Sequence, residues 1–169
     1  MASARRRGNN SRMQNKLSFA ARGGWWVVAQ ALVLLAAALL PVWEAGGTFP
    51  TLALHRIGWL TVSIGMFIVA AGVQALEPRL TPFPYPRRDA RLETQGIYAY
   101  VRHPIYIGLI VVCLGWAVVW LSDVAVLYGL AVAIFFDLKA EREERWLRER
   151  FQQYGAYAKR VRRFIPGIY

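Results

Sequence analysis

Four apolar runs separated by basic segments constrain this chain more than any other feature. Residues 25–42 and 57–76 are about as long as a helix needs to cross the hydrocarbon of a bilayer, roughly 20 residues. The first run ends near Pro41, and the second is stopped by Pro78. A third run starts at Pro104 or Ile105 and reaches about Leu121, and a fourth covers 124–138. Only Ser122 and Asp123 separate these last two, which are shorter and read as a tight helical hairpin. The pattern predicts an all-α integral membrane protein with about four transmembrane helices.

Charge orients those helices. Arg5, Arg6, Arg7, Arg12, Lys16 and Arg22 precede the first run without an acid among them. Arg79, Arg87, Arg88, Arg91 and Arg102 lie between the second and third. Nine more basic residues, from Lys139 to Arg163, follow the fourth. With four crossings, 20 of the 21 basic residues fall on one side and only Arg56 is opposite. Basic residues favour cytoplasmic loops, so both termini and the loop before residue 104 are expected inside.

A chain that is 56% hydrophobic yet carries a net charge of +11 is not an ordinary soluble domain. Its charge clusters at the ends and between apolar runs, so membrane lipid is the expected partner and nucleic acid is not. The single cysteine, Cys113, lies inside an apolar run, which excludes an intrachain disulfide and a cysteine metal cluster. With His55 and His103 the only histidines, no metal site is expected. The opening "MASARRRGNNSRMQNK" has the charge of a targeting peptide, but the apolar run after it is too long for a signal core and lacks a cleavage site. Residues 1–24 are therefore read as a basic cytoplasmic segment and 25–76 as a two-helix membrane anchor.

Small residues suggest how helices meet. Gly58, Gly65 and Gly72 recur every seven residues in the second run, and Gly108 and Gly115 do so in the third. Seven residues is nearly two helical turns, so each set forms a stripe along which another backbone can approach.

The segment "GIYAYVRHPIYIGLI" places Arg102 and His103 directly before an apolar helix. Pro104 suits the first position of that helix, and His103 before it is biased toward extended backbone. The exposed N–H groups of the helix start and Arg102 make an electropositive spot fit for a carboxylate or phosphate. Local chemistry leaves two uses open: ligand binding, or Arg102 reaching lipid phosphate while His103 caps the helix. Before this segment, Pro78, Pro82, Pro84 and Pro86 forbid a regular helix, and Phe83 and Tyr85 suit a membrane interface. After the fourth run, "DLKAEREERWLRERFQQY" reads as an amphipathic helix with Ala140, Leu147, Phe151 and Tyr154 on one face. Glu144 falls on that face too, where a carboxylate needs a partner or a ligand. Glu141–Arg145 and Glu144–Arg148 are spaced as ion pairs, and Lys139 and Glu143 are neighbours four apart.

Three ordered motifs then carry a resemblance. They are Gly96, Tyr98, Arg102-His103-Pro104, Tyr106 and Gly108; then Glu143-Glu144 with Leu147; then Tyr154, Tyr157, Val161, Arg163, Ile165 and Pro166. Over about residues 80–169 the chain resembles the isoprenylcysteine carboxyl methyltransferase family, within the broader group of membrane phospholipid methyltransferases. It departs at Phe151-Gln152-Gln153-Tyr154, where a Gly usually follows the aromatic. The resemblance implies a methyltransferase core at 77–169 that uses S-adenosyl-L-methionine (SAM), with a cytoplasmic cofactor pocket closed by the C-terminal helical segment. It implies a lipophilic or lipidated acceptor, prenylcysteine-like or a lipid head group, that enters from the bilayer. Carried over by position, Leu92, Glu93, Tyr98, His103, Pro104, Ile105 and Tyr106 line the cofactor and Glu143 contacts it. Arg102, Lys139 and Glu144 are the candidates for the reacting end. Lys139 stands where the family more often has Arg, and Lys cannot grip a carboxylate bidentately.

Two rival readings remain from the sequence: a membrane reductase of the sterol type using NADPH, and a non-enzymatic basic scaffold. No G-x-G-x-x-G follows a strand, so a soluble dinucleotide site is not expected.

The orientation is testable with Ser11→Cys and Gly167→Cys. Membrane-impermeant thiol reagents should reach both from the same, cytoplasmic face. Labelling from opposite faces would rule out four crossings.

Overall fold

The computed structural model describes residues 19–20, 23–44, 52–76 and 91–169. The basic residues from Arg5 to Lys16, Arg22, and the loop with its four prolines, Phe83, Tyr85, Arg79, Arg87 and Arg88, lie outside the described residues. The described chain is helical: α1 (Gly24–Glu44), α2 (Leu52–Leu76), a 3-10 turn (Gly96–Ala99), α3 (Pro104–Val119), α4 (Asp123–Arg150) and α5 (Tyr154–Arg160). Two helices, α1 and α2, are long and apolar enough to cross a membrane. The 16 residues of α3 span about 24 Å and the 28 of α4 about 42 Å.

The helix ends differ from the hydropathy boundaries in instructive ways. Helix α1 continues through Pro41 to Glu44, because a proline this near the end forfeits only one terminal hydrogen bond. Helix α2 begins at Leu52, before the apolar run starts, and so takes His55 and Arg56 into its first turns. Trp59 Nε1 there donates to His55 Nε2 at 3.1 Å. Helix α4 joins the fourth apolar run to the charged segment without a break, since no Gly or Pro interrupts it near Leu138. It stops at Arg150, so Phe151 and Tyr154 are not on its face as expected. Tyr154 opens α5 instead, yet it packs with Tyr157 and Val161 against Leu147 and Phe151. The hairpin between α3 and α4 is as tight as the sequence implied. Leu121 takes φ +49° there, and Ser122 Oγ caps α4 by accepting from the Ala125 N–H at 3.0 Å.

The glycine stripes do what their spacing suggested. Helices α2 and α3 run antiparallel with their glycines in each other's path. A Cβ on Gly58 would sit 2.7 Å from the Val119 nitrogen, and one on Gly65 2.8 Å from the Gly108 carbonyl oxygen. A Cβ on Gly72 would meet Ile105 Cγ1 at 2.7 Å. No side chain fits at these three positions of the seam. The outer faces of α1 and α2 expose Leu32, Leu35, Leu39, Leu60 and Phe67, an apolar exposure suited to lipid rather than water.

The C-terminal segment returns to the start of α3. Val101 pairs with Arg162 in a parallel bridge, and the N–H of Arg102 donates to the Arg162 carbonyl at 2.9 Å. Side chains fix this return through one fully buried carboxylate, Glu144. Its Oε1 accepts from Arg102 Nε at 3.0 Å, Arg163 Nε at 3.2 Å and His103 Nε2 at 3.2 Å. Its Oε2 accepts from Arg148 Nη2 at 3.0 Å. Arg163 also reaches Asp137 Oδ1 at 2.6 Å. Burial alone would raise the Glu144 pKa; hydrogen bonding and charge from His103, Arg163 and Arg102 outweigh it and hold the group well below the carboxylate range.

Two outcomes follow for stability. Gly65→Val should pry α2 from α3 and lower the unfolding temperature in detergent, a cost of about 1–3 kcal/mol or more. An unchanged transition would mean the seam is not close-packed. Glu144→Gln removes one partner from a buried ionic cluster, which costs on the order of 3 kcal/mol near neutral pH. Because the folded state holds Glu144 below its ordinary value of 4.5, its contribution is complete above that value and lost as pH falls through the folded one. The stability gap between wild type and Glu144→Gln should therefore hold down to about pH 5 and narrow below it. A gap independent of pH would deny the charge its role.

Candidate functional site

The helix start at Pro104 sits where α1, α2, α4 and the C-terminal segment converge, and they enclose a cavity of about 370 Å³. This is a size suited to a small molecule. Leu92, Glu93 and Tyr98 line it from the segment before α3, and Arg102, His103, Ile105 and Tyr106 from the start of α3. Lys139 and Glu143 line it from α4, Tyr154 and Tyr157 from α5. Seven of the eight residues expected at a cofactor are thus brought to one cavity. Pro104 is the exception: it is buried behind the wall, against Gly72.

Of the three residues expected at the reacting end, Arg102 and Lys139 line the cavity and Glu144 does not. The adjacent carboxylates point different ways. Glu144 turns inward to its cations. Glu143 faces the cavity, and its Oε2 accepts from the Tyr106 hydroxyl at 2.8 Å. The Arg102 guanidinium is turned to protein: Nε and Nη2 go to Glu144, and Nη1 goes to the carbonyls of Ala158 and Val161. His103 does not cap α3 with its side chain. Its ring stacks on Tyr106, centroids 5.3 Å apart and planes 7° from parallel. Tyr106 in turn stacks on Phe136 at 4.9 Å. The expected neighbours Glu141 and Arg145 form an exposed ion pair at 3.5 Å.

Tyrosine hydroxyls supply the remaining polarity. Tyr157 donates to the Tyr98 carbonyl at 2.7 Å, and burial pushes its pKa up to about 12, so it stays a donor. Burial, with Glu143 nearby, drives Tyr98 higher still. The Tyr154 hydroxyl is buried and has no hydrogen-bond partner among the described residues. Among the described residues, no group of three or more His, Cys, Asp or Glu side chains is arranged to hold a metal.

Sequence reasoning assigned no site role to Gln30, Val73, Leu76, Arg91, Leu147, Tyr154 and Tyr157, which complete the lining. Gln30 had a signal: it is the only strongly polar side chain in the run 25–42, and such a residue usually faces a cavity or a partner. Val73 and Leu76 had none, since they are apolar residues in a mostly apolar helix and could face lipid or protein alike.

Comparison with known proteins bears on the family and the fold. The phospholipid methyltransferase sequence family matches residues 54–154. The protein-S-isoprenylcysteine O-methyltransferase of Dictyostelium discoideum is 29% identical over 131 residues, 75% of this chain and 55% of that protein. The enzyme of the same name from Schizosaccharomyces pombe is 39% identical over 83 residues, 48% of this chain and 35% of its own length. The chain thus spans about half, or less, of the length of these relatives. Its fold matches a eukaryotic intramembrane Ras methyltransferase, the isoprenylcysteine carboxyl methyltransferase, with a TM-score of 0.64 at 23% identity over 90% of this chain and 55% of that one. The matched stretch contains the Arg102-His103-Pro104 and Glu143-Glu144 motifs together with the whole of the α2–α3 seam. On that coverage the chain belongs to the phospholipid methyltransferase family of membrane proteins, whose methyltransferases use SAM as methyl donor.

Proposed function

We propose that this chain is an integral membrane SAM-dependent methyltransferase acting on a lipophilic acceptor that reaches the cavity from the bilayer. One observation carries the reading: residues from all three motifs, far apart in sequence, line a single cavity of cofactor size. The proposed arrangement has four membrane helices, with both termini and the cavity on the cytoplasmic side, supported by the placement of 20 of 21 basic residues.

The lining fits the donor's chemistry. SAM carries a ribose diol, an adenine, a carboxylate and a sulfonium whose methyl group is already activated for displacement. Glu143 is a carboxylate facing the cavity, able to accept from ribose hydroxyls. The ring of Tyr98 offers a face to adenine or to positive charge, while Tyr106, stacked on His103 and Phe136, holds Glu143 through its hydroxyl. Methyl transfer to a carboxylate needs alignment and exclusion of water more than proton transfer. Glu144, held ionised by its cations, is a poor proton acceptor, and its place in the reaction is to fix Arg102 and His103. The acceptor is a prenylcysteine-like carboxylate or a lipid head group.

Calorimetric titration with S-adenosylhomocysteine, the demethylated donor, tests the cofactor assignment in detergent. Glu143→Ala should weaken binding by about 2 kcal/mol, roughly 30-fold, whereas Glu141→Ala, which breaks only an exposed ion pair, should change it by less than about 1 kcal/mol. Equal affinities would remove Glu143 from the site. Stabilisation by NADPH instead of S-adenosylhomocysteine would replace this reading with a reductase.

A further inference from the structure

The turn that follows α5 presents apolar side chains outward. Ile165 and Ile168 are 50% and 76% exposed, and Tyr169 is half exposed. Pro166 and Gly167, the latter at φ +78°, close the turn, and the N–H groups of Phe164 and Ile165 donate to the Tyr169 carbonyl at 2.8 and 2.7 Å. The seat of this turn says what faces it. The Tyr169 hydroxyl donates to Asp137 Oδ1 at 3.0 Å, and Arg163 Nη1 reaches the same oxygen at 2.6 Å. Asp137 comes three residues after Ile134 and seven after Leu130, so the three share one face of α4. Leu130 and Ile134 are among the exposed apolar residues of α4, and on the proposed membrane helix they form a stripe toward lipid. Asp137 ends that stripe. The turn covers its carboxylate with a guanidinium and a hydroxyl, and it carries Ile165 and Ile168 beside the end of the stripe. Arg160 and Arg162 are exposed just before it, basic groups of the kind that meet lipid phosphate.

We propose that the turn 164–169 is an interfacial membrane anchor, whose Ile165, Ile168 and Tyr169 side chains enter the boundary between head groups and acyl chains of the cytoplasmic leaflet. This rests on the membrane arrangement proposed above and not on the methyltransferase activity. Apolar side chains flanked by arginines combine the two attractions that hold a segment at this depth, apolar burial and charge opposite to that of anionic lipid. Tyrosine is at home there as well. The anchor bears on the cavity because the same segment is tied to the start of α3. Arg163 Nε donates to Glu144 at 3.2 Å, and the Phe164 ring meets His103 edge-on at 6.1 Å. The carbonyls of Arg162 and Arg163 accept from the N–H groups of Arg102 and His103 at 2.9 and 3.3 Å. The bilayer thus helps to hold the C-terminal segment over the start of α3.

Environment-sensitive fluorophores on single cysteines test the anchor, in a Cys113→Ala background and in nanodiscs of phosphatidylcholine with phosphatidylglycerol. A label at Ile168→Cys should be quenched by lipid that carries a nitroxide near the top of its acyl chain. It should also be about threefold or more less open to aqueous iodide than a label at Glu149→Cys, which is exposed and about 18 Å beyond Asp137 along α4. Equal access of iodide to the two labels would overturn the proposal. Protection from iodide without nitroxide quenching would overturn it too, since a protein surface would then cover the turn. Leu130→Cys is the membrane reference. If lipid nitroxide fails to quench a label there, the membrane arrangement falls, and the Ile168 label still decides whether the turn touches lipid. The link to the cavity is read by amide hydrogen exchange. Ile165→Ser with Ile168→Ser changes exposed side chains only and keeps the backbone pairing. In the same nanodiscs this variant should speed exchange at Arg102 and His103 about threefold or more while leaving the α2–α3 seam unchanged. Unchanged exchange at Arg102 and His103 would deny the bilayer its part in holding the segment.

Discussion

The structure depends on one buried carboxylate. Glu144 sits on α4, Arg102 and His103 lead into α3, Arg148 lies one turn along α4, and Arg163 belongs to the returning C-terminal segment. A carboxylate taken out of water needs its lone pairs satisfied, and here they are satisfied from three different parts of the chain. Each partner is therefore held to the others. The Arg102 guanidinium extends the connection to the carbonyls of Ala158 and Val161, so the end of α5 is drawn over the start of α3. Backbone pairing between Val101 and Arg162 follows the same line. The cavity exists because these segments cannot separate.

Its opposite wall is fixed by a different constraint, steric rather than electrostatic. The α2–α3 seam admits no side chain at Gly65 or Gly108, so the two backbones have one register and little freedom to slide. That register brings Gly72 to Ile105 and Pro104, and it lets the Tyr98 hydroxyl reach the Gly72 carbonyl at 3.4 Å. Val73 and Leu76 reach the cavity as a consequence. A close-packed apolar seam and a polar knot thus hold the two sides of one site.

Neighbouring residues of α4 are divided between these tasks by helix geometry. Successive side chains point about 100° apart, so Glu143 and Glu144 cannot share an environment. One faces the cavity and Tyr106; the other faces the guanidinium cluster. Lys139, one turn before Glu143, faces the cavity as well and is met by Gln30 from α1. The polar residues at this end of the bundle are accordingly of two kinds. Those around Glu144 satisfy one another, and those around the cavity include the Tyr154 hydroxyl, which has no hydrogen-bond partner among the described residues.

The sequence by itself determined the helical class, the α3–α4 hairpin, the glycine seam and the family, because these rest on local signals: apolar run length, heptad spacing of small residues, and ordered motifs. It also gathered most of the cavity lining, since the motif residues cluster near Pro104 and on one stretch of α4. What it left open was direction and partnership. Whether Arg102 meets lipid, ligand or protein depends on a residue 42 positions away, and nothing local to either announces the pair. The roles of Glu143 and Glu144 look interchangeable in the sequence and are separated only by what packs on each face of α4. Gln30 was visible as a polar residue in an apolar run, but its meeting with Lys139 is a long-range contact across two helices. Tertiary structure decided these points because the energy of a buried charge is set by the groups that surround it, and those groups come from segments that only folding brings together.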